Sequence, residues 1–274
     1  MKFRHFMYIV TLTLCSASLH LAIAQESQDL PSKHGYRVVA TGTLGGPNSF
    51  LGFEGSRNIN NNGTLAAGTD TSAPATPPFC LNDSFVGHAT QWRNGVITDL
   101  GTIANGNGGT SWISDTGLIA GLSMNGALDP ITGQAELEAV LWKDGGPINL
   151  GTFGGTQSMA GSVNDHGQVV GCATNTIADA ASVCMGVPQA TQSRAFLWQD
   201  GTMRDLGTLG GTDANAFIVN QRGYRTTRVL VGRGSHDRSQ YFSSSWGWLA
   251  ATDRCVQHQR SWRDYWFGSA AWLQ

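Results

Sequence analysis

Between about residues 36 and 221 the apolar side chains come in short unbroken runs, each ended by a polar turn that contains glycine. The run Ala195-Phe196-Leu197-Trp198 is closed by Gln199-Asp200-Gly201, and Trp92-Arg93-Asn94-Gly95 and Trp142-Lys143-Asp144-Gly145 repeat the arrangement. Asp-Gly or Asn-Gly between two apolar stretches is a strong signal for a β-hairpin, because the tightest hairpin turn needs positive φ at both central positions. A second kind of run, Leu65-Ala66-Ala67, Leu118-Ile119-Ala120 and Val169-Val170-Gly171, follows turns of the form Asn164-Asp165-His166-Gly167. A short polar residue at the first position and glycine at the fourth suit a type I turn with a glycine bulge. Runs that are apolar throughout, without alternation, predict strands covered on both faces.

The two hairpins recur in a fixed order. The phrase GTLGG at 42–46 returns as GTIANGNGG (101–109), GTFGG (151–155) and GTLGG (207–211), with first glycines 59, 50 and 56 residues apart. Behind these come NINNNGTLAAG (58–68), ISDTGLIAG (113–121), VNDHGQVVG (163–171) and a failing fourth copy that begins Val219-Asn220-Gln221-Arg222-Gly223. Each unit is predicted to be a meander of four short strands, a to d; in the third, a covers about 158–163, b 168–172, c 194–198 and d 203–206. In a meander the a–b and c–d turns share one edge, and the b–c loops and glycine-rich d–a crossings share the other. Between the strand-b glycine and strand c lie 19 residues (69–87), 16 (122–137) and 22 (172–193). Connections so long are uncommon in compact domains, so this edge is where a binding site is expected.

Four-stranded units of this length with glycine pairs and one recurring Trp describe the blades of a β-propeller. The expected fold is therefore all-β, a propeller-like array with three full repeats and a broken fourth. Trp92, Trp142 and Trp198 are expected to fill the spaces between blades, and Gly101, Gly151 and Gly207 to shape the crossings. Asp99, Asn149 and Asp205, each before Leu-Gly, are expected to accept backbone hydrogen bonds there. With the Trp hairpin, DLGTLGG and NDxGxVVG phrases together, residues 36–221 resemble the HAF-repeat family of exported bacterial proteins. The His-Ala-Phe triplet of that family is partly kept as His88-Ala89-Thr90, Glu138-Ala139-Val140 and Arg194-Ala195-Phe196. The resemblance implies an extracellular or surface protein of propeller type and supplies no catalytic residues.

Charge and composition divide the chain differently. Residues 25–221 carry 7 Lys and Arg against 16 Asp and Glu, whereas residues 222–274 carry 8 Arg against 3 Asp and five of the nine Trp. The acidic part lacks the basic surface that polyanion binding requires, so nucleic acid is excluded as its partner. The amino end, with Lys2 and Arg4, an apolar stretch over about 6–21 and Ala22-Ile23-Ala24, reads as an export signal over 1–24. No later run is long enough to span a membrane. Residues 222–274 share no phrase with the repeats and are read as a basic, Trp-rich tail, the product of a shifted reading frame or a separate module. An array of so few units is expected to be incomplete, and to self-associate through its open sheet edge.

Export permits disulfides, and Cys172 and Cys184, 12 residues apart, form the expected pair; Cys80 has no obvious partner. No Cys/His spacing suits zinc, and neither phosphate loop nor nucleophile elbow is present, so no metal or cofactor is predicted. The long-loop edge carries Asp83, Asp129, Glu136 and Asp179, ligand candidates that nothing in the sequence pairs. The function expected is a binding module for an extracellular glycan or protein. A carbohydrate-active hydrolase or lyase, which requires paired carboxylates, and a non-functional truncated product are the alternatives.

Overall fold

The computed structural model describes residues 38–221, apart from 53–55, 78, 82 and 209, together with the backbone of Val229–Arg233. The expected signal over 1–24 and nearly all of the tail lie outside the described residues. The first repeat holds β1 (Gly45–Phe50), β2 (Leu65–Pro74), β3 (Phe85–Arg93) and β4 (Val96–Gly101), and the second β5 (Gly108–Ile113), β6 (Ile119–Leu128), β7 (Ala135–Lys143) and β8 (Gly146–Asn149). The third holds β9 (Ser158–Val163), β10 (Val169–Ala178), the two-residue strands β11 (Val183–Cys184) and β12 (Val187–Pro188), β13 (Thr191–Gln199) and β14 (Thr202–Asp205). β15 (Ala214–Val219) and β16 (Val229–Arg233) follow. All belong to the compact unit that begins at Thr41. No helix of the described residues is long and apolar enough to cross a membrane.

The protein is all-β, with three four-stranded antiparallel sheets in meander order, β1-β2-β3-β4, β5-β6-β7-β8 and β9-β10-β13-β14. The turn chemistry accounts for the hairpins. Asn94, Asp144 and Asp200 take φ of 49°, 53° and 49°, and the glycines that follow take 86°, 88° and 80°, so both central positions of every c–d turn are left-handed. Repeat one departs from the plan in its strand a. β1 pairs with the middle of β2, from Gly68 to Thr71, while Ile59 bridges to Leu65 at its start.

Two sequence expectations need correction. Strands b and c run well past the apolar phrases, to Pro74, Leu128 and Ala178, so the b–c connections shrink to 75–84, 129–134 and 179–190. The cause is visible in burial. In each repeat the inner part of strand b is buried and its last three residues are exposed, so the strand outruns the continuous apolar phrase. Second, a strand b does follow the fourth copy's strand a: β16 pairs antiparallel with β15, Val219 opposite Val229 and Ala214 opposite Arg233.

The sheets stack through one interface used repeatedly. Between repeats one and two, Ala66 and Ala89 meet Ile113, Ile119, Val140 and Trp142, with Leu100 and Ile103 at the margin. One repeat later, Ala120 and Ala139 meet Val163, Val169, Phe196 and Trp198, with Leu150 and Phe153 in the same places. A third copy sets Val170 and Ala195 against Val219. Small residues on b and c thus face the next sheet, while the indole and its neighbours face the preceding one, which is why these strands read as apolar on both sides. Burial of a large aliphatic or aromatic side chain is favourable by about 1.5–3 kcal/mol, so each seam is a substantial part of the fold's stability.

Polar groups join the same seams. The residue before strand a reaches back to strand c of the preceding repeat: Asn107 Oδ1 accepts from the N–H of Gly87 (2.6 Å), Gln157 Oε1 from Leu137 (2.8 Å) and Asp213 Oδ1 from Ser193 (2.7 Å). At the opposite edge the a–b turns are linked in series. Asn60 Nδ2 donates to the Ser114 carbonyl (3.1 Å), Thr116 N–H to Asp165 Oδ1 (3.0 Å) and Asp165 N–H to Gln221 Oε1 (2.8 Å), and Arg57 pairs with Asp115.

Candidate functional site

The recurring glycines and indoles hold the scaffold on which the b–c edge is carried. Gly101, Gly151 and Gly207 have φ of 70°, 80° and 76°, and an added Cβ would meet nothing within 4 Å, so backbone conformation alone selects glycine there. The side chains of Asp99, Asn149 and Asp205 accept from the N–H two residues on, at 2.8, 2.8 and 2.7 Å, which pins each crossing. The same three side chains bond His88, Glu138 and Arg194 of the neighbouring strand c, so each crossing residue and its partner in strand c form one cross-strand pair. Trp142 donates its indole N–H to the Gly101 carbonyl of the preceding repeat (3.0 Å) and Trp198 is 8% exposed, whereas Trp92 is only half-buried.

The projecting ends of the b strands share a bulge. Thr71 Oγ1, Asn125 Oδ1 and Asn175 Oδ1 accept from the N–H two residues on, at 3.2, 2.8 and 2.8 Å, where the b–c register shifts. Leu128, Ile131 and Ile177, at 44%, 67% and 55% exposure, stand on or beside the tips of repeats two and three. In repeat three Cys172 and Cys184 form a disulfide, their Cα atoms 5.7 Å apart, which ties strand b to β11 in the connection. Cys80, for which the sequence offers no partner, is buried and is also disulfide-bonded.

The four carboxylates singled out in the sequence fall into three settings and are not gathered into one cluster. Asp129 closes its connection as a turn cap, accepting from the N–H groups of Ile131 (2.9 Å) and Thr132 (2.7 Å) and from the Thr156 hydroxyl. Burial alone would raise its pKa, yet the Thr156 hydroxyl and the two backbone N–H groups outweigh that and hold it below the usual value. Asp179 caps the equivalent turn of repeat three through the N–H of Ala181 (3.0 Å). Glu136 accepts from Asn125 Nδ2 (2.7 Å), which also donates to Glu138 (3.1 Å).

Asp83 has a fully buried acidic neighbour, Asp70, which sequence reasoning missed. Asn48 joins them: its backbone N–H donates to Asp70 Oδ2 (2.9 Å) and its side-chain amide to Asp83 Oδ2 (2.8 Å), while Asp83 Oδ1 accepts from the Phe85 N–H (2.8 Å). Asp70 is fully buried, and among the described residues its Oδ1 has no hydrogen-bond donor. Burial first, then the charge of Asp83, push its carboxyl up to about 6 against the opposing bonds from Asn48. The available signal was a lone acid at the end of Leu65-Ala66-Ala67-Gly68-Thr69-Asp70, where the other repeats carry Met124 and Thr174. Among the described residues no group of three or more His, Cys, Asp or Glu side chains is placed to hold a metal ion. Comparison with family models, with curated proteins and with solved structures gives no match.

Proposed function

We propose that this chain is an exported repeat protein of propeller type, of the HAF-repeat kind, that uses its b–c edge as a binding surface for an extracellular glycan or protein. The observation that carries the reading is the repeated projection of strands b and c beyond the stacked part of the sheets. In all three repeats the last three residues of strand b are exposed, and they lie on one edge. The seams themselves support the propeller reading, because strand a of each repeat packs on strands b and c of the one before. In an exported protein, such tips on a rigid scaffold are the places where sequence and contacts can vary without disturbing the core.

The test is a glycan array and an extracellular-protein panel probed with the full chain, run beside a reducing-sugar release assay. Binding without sugar release, weakened when Leu128, Ile131 and Ile177 are replaced by Ser but not when Val96 or Ile148 on the d strands is replaced, supports the proposal. Turnover, or binding that survives the tip substitutions and is lost on the d-strand ones, contradicts it.

A further inference from the structure

We propose that Asp70, Asp83 and Asn48 form a proton-operated latch that closes the b–c corner of repeat one in acid and releases it near neutral pH. Asn48 holds both carboxyl groups, one by its backbone N–H and one by its side-chain amide. Two ionised carboxylates in such proximity repel, and water cannot screen them at Asp70, which is fully buried. The Oδ1 of Asp70 accepts from no N–H or O–H donor among the described residues, so nothing there offsets a negative charge on it. The Phe50 ring lies directly over Gly68 and beside Gly87, the residue opposite Asp70, so an apolar ring covers part of the acid's surroundings.

No other titratable group faces Asp70 among the described residues. Opposite it in β3 is Gly87, β1 contributes Asn48, and the crossing before β5 contributes Asn107, none of which titrates. His88 lies opposite Thr69, one residue on, and so projects from the other face of the sheet, where it bonds Asp99. The folded-state pKa of Asp70 is raised to about 6 from 3.8, so the folded corner holds the proton more tightly than an open one. The stabilisation is complete below the unfolded value and is lost as pH rises through about 6. The latch is independent of what the edge binds.

Amide hydrogen exchange on the full chain, corrected for intrinsic rates, tests it at the N–H groups of Asn48 and Phe85. Their protection is expected to fall about tenfold from pH ~5 to pH ~7.5, the ratio that follows from one proton with these two pKa values. Protection at Leu137, on the seam between repeats two and three, is expected to stay constant. Asp70→Asn keeps the shape and removes the charge, so the fall should vanish. If that variant fails to fold, Asp83→Asn, which removes the repelling partner, should shrink the fall. A wild-type chain with constant protection, or an Asp70→Asn or Asp83→Asn variant with the full wild-type fall, overturns the proposal. So does recovery of protection at pH ~7.5 on adding calcium alone, which would make the pair a cation site.

Discussion

Gly151 and Trp142 are each repeated along the chain, and they act through different physics. At Gly151 the space for a side chain is open and φ is 80°, so Gly151→Ala should cost about 1–2 kcal/mol through the left-handed backbone alone. Gly151→Asn should recover part of that loss, since Asn tolerates this region. Urea unfolding of both variants checks the order, and an Ala variant as stable as wild type would contradict it. Trp142 fills a buried seam and donates its indole N–H across it, so Trp142→Ala should cost about 3–5 kcal/mol. Trp92, half-buried, should cost clearly less by the same measurement; equal losses would mean that the two indoles occupy equivalent surroundings.

At the scale of strands and turns, the tight turns and the inner strands were legible because local chemistry decides them. Asp200-Gly201 demands a turn whichever sheet it joins, and Val169-Val170 must be covered on both faces. The outer halves of β2, β6 and β10 were not legible. Their residues, such as Thr71–Pro74 and Asn175–Ala178, mix small, polar and apolar types with no apolar run, and only pairing with the start of strand c makes them strands. The Asp70–Asp83 pair was hidden for a related reason, since the register that opposes Asp70 to Gly87 arises from sheet geometry and not from spacing in sequence. The links from Asn107, Gln157 and Asp213 were hidden too, because three different residue types perform one task. Gln157→Ala would leave the buried Leu137 N–H without its acceptor and the Ala135 carbonyl without its donor, and should cost about 1–3 kcal/mol in chemical denaturation. Reduction of the Cys172–Cys184 bridge should lower stability by about 2–4 kcal/mol, read as a shift in denaturation midpoint between oxidised chain and the Cys172→Ser, Cys184→Ser variant.

Across the whole molecule the explanatory unit is the seam between sheets, not the single sheet. An isolated meander would expose the apolar faces of strands b and c, and each repeat therefore depends on a neighbour, as in other stacked repeat architectures. Ala66 with Ile113, Ala120 with Val163 and Val170 with Val219 are one contact made three times. Nuclear Overhauser contacts between the methyl groups of those three pairs in the full chain test this most directly. All three sets of contacts should be present together. Absence of any set in the folded chain, or methyl contacts between repeats at positions that do not correspond, would contradict the account.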